Sequence, residues 1–255
     1  MGGAMLAGWL AGGLAAGRFT VVDPYLPQAP AGVAHLTEAP TSDPFDVVLL
    51  GFKPQQLAEA AAAIAPVVGE GTLVLSILAG VDLETLRRYF PAASGIVRVM
   101  PNLSAALGKS PIGLVGQVDE TGRVLTERLM APLGQAEWLS GEDRMDLVTA
   151  LAGSGPAFIY RVIDALAAGA ADLGLPREQA DRLSLAMVEG AAALAAASPH
   201  APGELARRVA SPGGTTLAGL EVLDADGRLA ALMRDTLDAA ASRSAEMTRA
   251  AKGAG

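Results

Sequence analysis

Short apolar runs alternate with helix-like segments over the first 140 residues and then stop, and this change of period constrains the fold more than any single residue. The runs are FTVVD, DVVLLGF, TLVLSIL, GIVRVMP, IGLVG and AEWLS, all rich in Val, Ile and Leu. Brief β-branched stretches of this kind read as strands. Between them lie segments of helical pattern at 54–65, 82–90 and 119–131. Strand and helix in alternation imply a parallel sheet with helices on both faces. From about residue 142 only Ala-rich helical segments remain, at 143–151, 156–173, 176–196, 202–209, 215–223 and 228–250, divided by GSGP, GLP, SPH, SPGG and DADG. The expected fold is α/β, a doubly wound (Rossmann-like) domain over residues 1–141 followed by an all-α domain over 142–255.

Composition narrows the functions open to such a chain. Half of its 255 residues are hydrophobic, but only 4% are aromatic, so the core must pack through small side chains. A formal charge of −8, with no basic run longer than Arg87-Arg88 or Arg207-Arg208, argues against a nucleic-acid partner. The absence of cysteine removes disulfides, thiolate nucleophiles and thiolate zinc sites, and the distant pair His35 and His200 makes a metal site or a Ser/His/Asp triad a poor expectation. The uncharged opening MGGAMLAGWLAGGLAAG lacks the basic start of a signal peptide and the unbroken apolar length of a membrane span. It reads instead as a helix with Met5, Leu6, Trp9, Leu10 and Leu14 on one face. A cytoplasmic protein with no membrane partner is expected.

Two glycine-rich loops lead into helices in the second half: ALAGSGPAF at 150–158 and ASPGGTTLAGL at 210–220. In the second, Pro212 fixes a turn, Gly213 and Gly214 admit special conformations, and Thr215 and Thr216 open the helix. Free amides at such a start, assisted by the helix dipole, hold a carboxylate or phosphate without Lys or Arg. The same loop also serves as an ordinary turn with a threonine cap, and the motif alone does not separate the two.

Taken together, GGAMLAGWL, FKPQ, SILAG, VRVMPN, ALAGSGPAF, GLPREQA and SPGGTT resemble the pyrroline-5-carboxylate reductase family over nearly the whole chain. The resemblance implies a dinucleotide-binding domain, a helical dimerisation domain and reduction of a cyclic imine carboxylate by NAD(P)H. It implies cofactor contacts at Met1, Gly2, Asp23, Lys53, Pro54, Leu78, Ala79, Gly80, Asn102 and Glu142. It places the substrate carboxylate on Ser211, Gly213, Gly214, Thr215 and Thr216, with the Thr216 hydroxyl as the catalytic group at the ring nitrogen; Ser154 shapes its loop. Asp23 ends the FTVVD strand with no basic residue in the following PYLPQAPAG, which favours NADH, since an acidic group there bonds the ribose hydroxyls and repels a 2′-phosphate. The family implies a homodimer or larger homo-oligomer built through the C-terminal helices.

The sequence departs from the family pattern in the NLS after VRVMP and in Ser110. It also starts at the methionine of the family's GxGxM loop, which implies that the first strand and the GxG turn are lacking. If that start were genuine, a non-catalytic dinucleotide-binding scaffold would be the alternative. A hydroxyacid dehydrogenase is disfavoured, because residues 156–173 contain no lysine to act as base.

Overall fold

The computed structural model describes residues 1–41 and 43–253, the last four by their backbone alone. The chain divides into two compact units. One comprises Met1–Gly153 together with the chain from Ala239 onward, and the other is Ser154–Asp238.

The first unit runs α1 (Gly2–Ala11), β1 (Thr20–Val22), β2 (Ala34–Leu36), β3 (Val47–Leu50), α2 (Leu57–Ile64), β4 (Leu73–Ser76), α3 (Leu83–Tyr89), β5 (Gly95–Met100), β6 (Ser110–Gln117), α4 (Glu120–Met130), β7 (Gly134–Trp138) and α5 (Met145–Val148). All six expected strands form, and β2 is an addition. The sheet differs from the expectation in two respects.

Strands β3 to β7 form one sheet in sequence order, but β5 and β6 pair antiparallel. The cause lies in the connections. A parallel return needs a crossover of about a dozen residues or more, usually helical. α2, α3 and α4 supply such crossovers for the three parallel pairs, whereas β5 and β6 are joined by a short segment holding only the 3₁₀ turn Leu103–Leu107.

Strands β1 and β2 form a separate parallel pair, and among the described residues no ladder joins them to β3. The single expected sheet is therefore two. β3 is left as an edge strand, with Val47, Val48 and Leu49 half-buried, while all four residues of β4 are buried.

Alternation along the strands divides the core into two apolar clusters. Leu50, Val74, Ile96 and Val115 pack with Leu57 and Ala61 of α2, Leu86 of α3 and Met145 of α5. Leu73, Leu75, Val97, Val99, Ile112 and Leu114 pack with Met5 and Trp9 of α1 and Met130 of α4. Adjacent strand residues thus serve opposite faces, as the period of two requires. Complete burial of each Leu, Val or Met contributes about 1.5–3 kcal/mol.

α1 also ties the two sheets together. Its Trp9 stacks on Phe19, just before β1, with ring centroids 5.5 Å apart, and its Nε1 donates to the Leu129 carbonyl at 2.6 Å. Gly8 is needed for close approach, because a Cβ there would lie 2.1 Å from the Ala105 carbonyl oxygen.

The second unit contains α6 (Gly155–Asp172), α7 (Arg177–Ala197), α8 (Pro202–Val209), α9 (Thr215–Asp224) and the beginning of α10 (Arg228–Gly253), whose end belongs to the first unit. Arg177 at the start of α7 bonds Asp164 of α6 at 2.7 Å and Asp181 one turn on at 2.8 Å. The bonds from Asp181 and Asp164 hold its guanidinium above its ordinary pKa. Among the described residues only Ala167, Ala180 and Ser184 of this unit are buried. No helix is long and apolar enough to cross a membrane.

Candidate functional site

In a parallel sheet, ligands bind beyond the carboxyl ends of the strands. Those ends in the first unit carry most of the residues expected from the sequence. The start of α1 adjoins the end of β3: an added Cβ on Gly51 would lie 3.9 Å from the Gly2 Cα. Met1 is the N-cap residue of α1, and no side chain caps the helix. Its carbonyl accepts from the amides of Ala4 and Met5. Side chains added at Gly2 or Gly3 would meet nothing within 4 Å. An open, uncapped helix start of this kind suits phosphate oxygens.

Asp23 follows β1 and is half-buried. Its Oδ1 accepts from the Tyr25 amide at 2.9 Å, and its own amide donates to the Leu36 carbonyl. The His35 ring nitrogen Nε2 lies 2.9 Å from the Asp23 carbonyl oxygen. His35 thus fixes the strand end that carries Asp23, a role sequence reasoning missed because it depends on the pairing of β1 with the unexpected β2.

After β3, Lys53 is exposed and caps the 3₁₀ turn Pro54–Gln56, its amide donating to Gln56 Oε1 at 3.2 Å. After β4, Leu78 and Gly80 are buried while Ala79 between them is only half-buried. Gly80 has φ +77°, a left-handed conformation that favours glycine.

Asn102 and Glu142 are occupied differently. Asn102 is 5% exposed. Its Nδ2 donates to the Ala152 carbonyl, its Oδ1 accepts from Ser104, and its amide donates to Ser110 Oγ at 2.9 Å. The side chain therefore pins the end of β5 to Thr149–Gly153, a π-helical turn that leads into α6. Ser110, a departure from the family pattern, is part of this network. Glu142 Oε1 accepts from Arg98 at 2.6 Å and from the Leu83 amide at 2.9 Å. Arg98 is 6% and Glu142 32% exposed at the side chain. This carboxylate neutralises a buried cation on β5. Neither partner was legible in the sequence, because Arg98 and Leu83 lie far from residue 142 along the chain.

In the second unit, Gly213 has φ +69° and Gly214 is extended at the N-cap position of α9. The Gly214 amide donates to the Ser211 carbonyl at 2.9 Å. A Cβ on Gly214 would lie 2.6 Å from Ser211 Oγ, so the tight turn requires glycine there. Thr215 and Thr216 form the first turn of α9, both exposed, and no side chain caps that helix. The amides at its start face no competing cap, as an anion site requires. Ser154 stands at the N-cap position of α6 without a side-chain capping bond.

An α/β unit with ligand-facing strand ends, followed by a helical unit with an amide-rich loop, defines the class of two-domain oxidoreductases. Residues 142–247 match the model described as pyrroline-5-carboxylate reductase dimerisation, and residues 20–115 match that of ketopantoate reductase PanE/ApbA. The chain belongs to the pyrroline-5-carboxylate reductase family. It is 38% identical over 211 residues to pyrroline-5-carboxylate reductase 2 of Bacillus subtilis (strain 168), covering 82% of this chain and 75% of that one. It is 35% identical over 256 residues to the pyrroline-5-carboxylate reductase of Methanosarcina acetivorans, covering 97% and 94%. Among solved structures, a pyrroline-5-carboxylate reductase from Coxiella burnetii superposes with TM-score 0.89 at 31% identity, covering 96% of this chain and 94% of that one. The Plasmodium falciparum pyrroline carboxylate reductase with NADP bound superposes with TM-score 0.78 at 24% identity, covering 97% and 94%, a likeness of fold.

Proposed function

We propose that the chain reduces 1-pyrroline-5-carboxylate to L-proline with NAD(P)H. The observation that carries this reading is the SPGGTT loop, an uncapped, exposed helix start in a chain of this family. A bound reduced nicotinamide supplies the hydride to the imine carbon. The chain's own residues hold and orient. Gly213 and Gly214, with the amides of Thr215 and Thr216 and the Ser211 hydroxyl, hold the substrate carboxylate. The Thr216 hydroxyl meets the ring nitrogen and hands over the proton it needs as electrons arrive. An iminium carbon is already electrophilic, so orientation is the larger contribution, worth several kcal/mol.

The residues at the strand ends fit a dinucleotide. The open start of α1 at Met1 and Gly2 suits phosphate, and the left-handed backbone at Gly80 brings Leu78 and Ala79 to the end of β4. Lys53 and Pro54 border the same ends. Asn102 and Glu142 serve this site by holding its backbone, since their polar atoms are engaged by the protein. Asp23 favours NADH over NADPH. The functional domains are 1–141 for the dinucleotide and 142–255 for substrate and dimerisation, in a cytoplasmic homodimer or larger homo-oligomer. The test is dinucleotide oxidation on adding pyrroline-5-carboxylate, with NADH and NADPH in parallel. A higher kcat/KM with NADH supports the whole reading, a preference for NADPH removes the role given to Asp23, and no oxidation with either removes the activity.

A further inference from the structure

We propose that the last turns of α10 form a strap that sets the loop between β4 and α3, with Asp146, Ser244 and Thr248 as positioning residues for the dinucleotide. The inference rests on assigning Leu78–Gly80 to the cofactor. Three contacts made by the segment 142–146 and the end of α10 converge on this loop.

At its exit, the Leu83 amide donates to Glu142 Oε1 at 2.9 Å. Beneath it, Leu78 and Val81 share a buried cluster with Met145. At its turn, a Cβ on Gly80 would lie 3.4 Å from both Cα and N of Thr248 and 3.5 Å from the Met247 carbonyl carbon. The backbone of α10 is therefore in van der Waals reach of the one loop residue held in a left-handed conformation.

What holds α10 there is a single carboxylate oxygen. Asp146 Oδ1 accepts from Ser244 Oγ at 2.7 Å and faces Thr248 Oγ1 at 3.5 Å. Thr248 Oγ1 also donates to the Ser244 carbonyl at 3.1 Å. Ser244 and Thr248 are one helical turn apart and so lie on one face. Asp146 follows Glu142 by four residues, which places the carboxylate that fixes the strap one turn from the carboxylate that fixes the loop's exit. Ala79, half-buried between buried neighbours, is the part of the loop these contacts leave accessible. A loop whose exit, base and turn are each fixed presents its backbone in one conformation, and a ligand then loses less freedom on binding.

The strap is tested with Ser244→Ala and Asp146→Ala, singly and combined. The measurements are NADH dissociation constants by fluorescence titration and amide hydrogen exchange over residues 77–82 without dinucleotide. Each single variant should weaken NADH binding about five- to tenfold, the range in which residues remote from a ligand modulate its site. The double variant should be no weaker than the singles, because both remove one contact. Exchange over 77–82 should quicken, KM for pyrroline-5-carboxylate should stay within about twofold, and Ser244→Thr should restore NADH binding. A purely structural role would lower the melting temperature without singling out these amides. Unchanged NADH binding and exchange in folded Ser244→Ala, or additive losses in the double variant, would overturn the strap. If the parent chain binds NADH and the variants behave as described, but pyrroline-5-carboxylate is not reduced, the strap stands and the reductase reading falls. A parent chain that binds no NADH overturns both.

Discussion

Thr216 bears most of the chemistry and little of the fold. It is exposed in the first turn of α9 and makes no capping bond. Thr216→Ala should therefore cost less than the roughly 1 kcal/mol of a lost cap. Turnover should fall about 100-fold, the lower range for a proton-transferring group, with Thr216→Ser close to the parent. Steady-state kinetics beside a urea titration separate the two effects, and unchanged turnover would remove Thr216 from the mechanism. Asp23 is tested by Asp23→Ser, which should shift the NADPH-to-NADH preference by about fivefold. That follows from about 1 kcal/mol between unit charges 4 Å apart in water. Glu142→Ala leaves the Arg98 guanidinium buried without its partner. Breaking a buried pair costs about 3–5 kcal/mol, and because a third of Glu142 is exposed we expect about 2–3 kcal/mol by urea unfolding.

The elements show which signals a sequence carries and which it does not. Apolar runs of four residues or more announced their strands, because burial on two faces demands them. β2 escaped notice because AHL is three residues long after a Pro- and Gly-rich stretch, and it exists only by pairing with β1. The antiparallel β6 was hidden because direction is set by the connection, and the short segment before it holds no crossover helix. The π-helical turn Thr149–Gly153 has no compositional sign; it is supported from a distance by the Asn102 amide. At the site, the glycines were legible because each meets a local backbone demand. The partners of Asn102 and Glu142 were not, because tertiary packing supplies them.

Edge strand β3 gives an element-scale prediction. The Leu73 amide donates to the Asp46 carbonyl and the Ile77 amide to the Leu50 carbonyl. Residues 46, 48 and 50 therefore face β4, and Val47 and Leu49 face the edge. Hydrogen exchange should be faster at Val47 and Leu49 than at Val48 and Leu50. Equal protection would show that the outer edge is paired.

For the whole molecule, the helical unit buries too little of itself to stand unpartnered. Its α7 exposes Leu183 at 60%, Leu185 at 57% and Leu194 at 73%. Apolar surface on this scale marks an interface, and these residues fall within the segment that matches the dimerisation model. Sedimentation at micromolar concentration should show a dimer or larger, and Leu194→Glu should shift the population toward monomer. A monomeric parent would contradict this assembly.

The central claim is that an imine is reduced while its carboxylate is held at the SPGG loop, and one comparison addresses both parts. It is the ratio of kcat/KM for 1-pyrroline-5-carboxylate to that for unsubstituted 1-pyrroline, measured with the preferred dinucleotide. A charged group bonded by several amides is worth about 1.5–3 kcal/mol, so a preference of about 10- to 100-fold for the carboxylate is expected. Equal values would contradict the carboxylate site, and oxidation of the dinucleotide with neither substrate would contradict the activity itself.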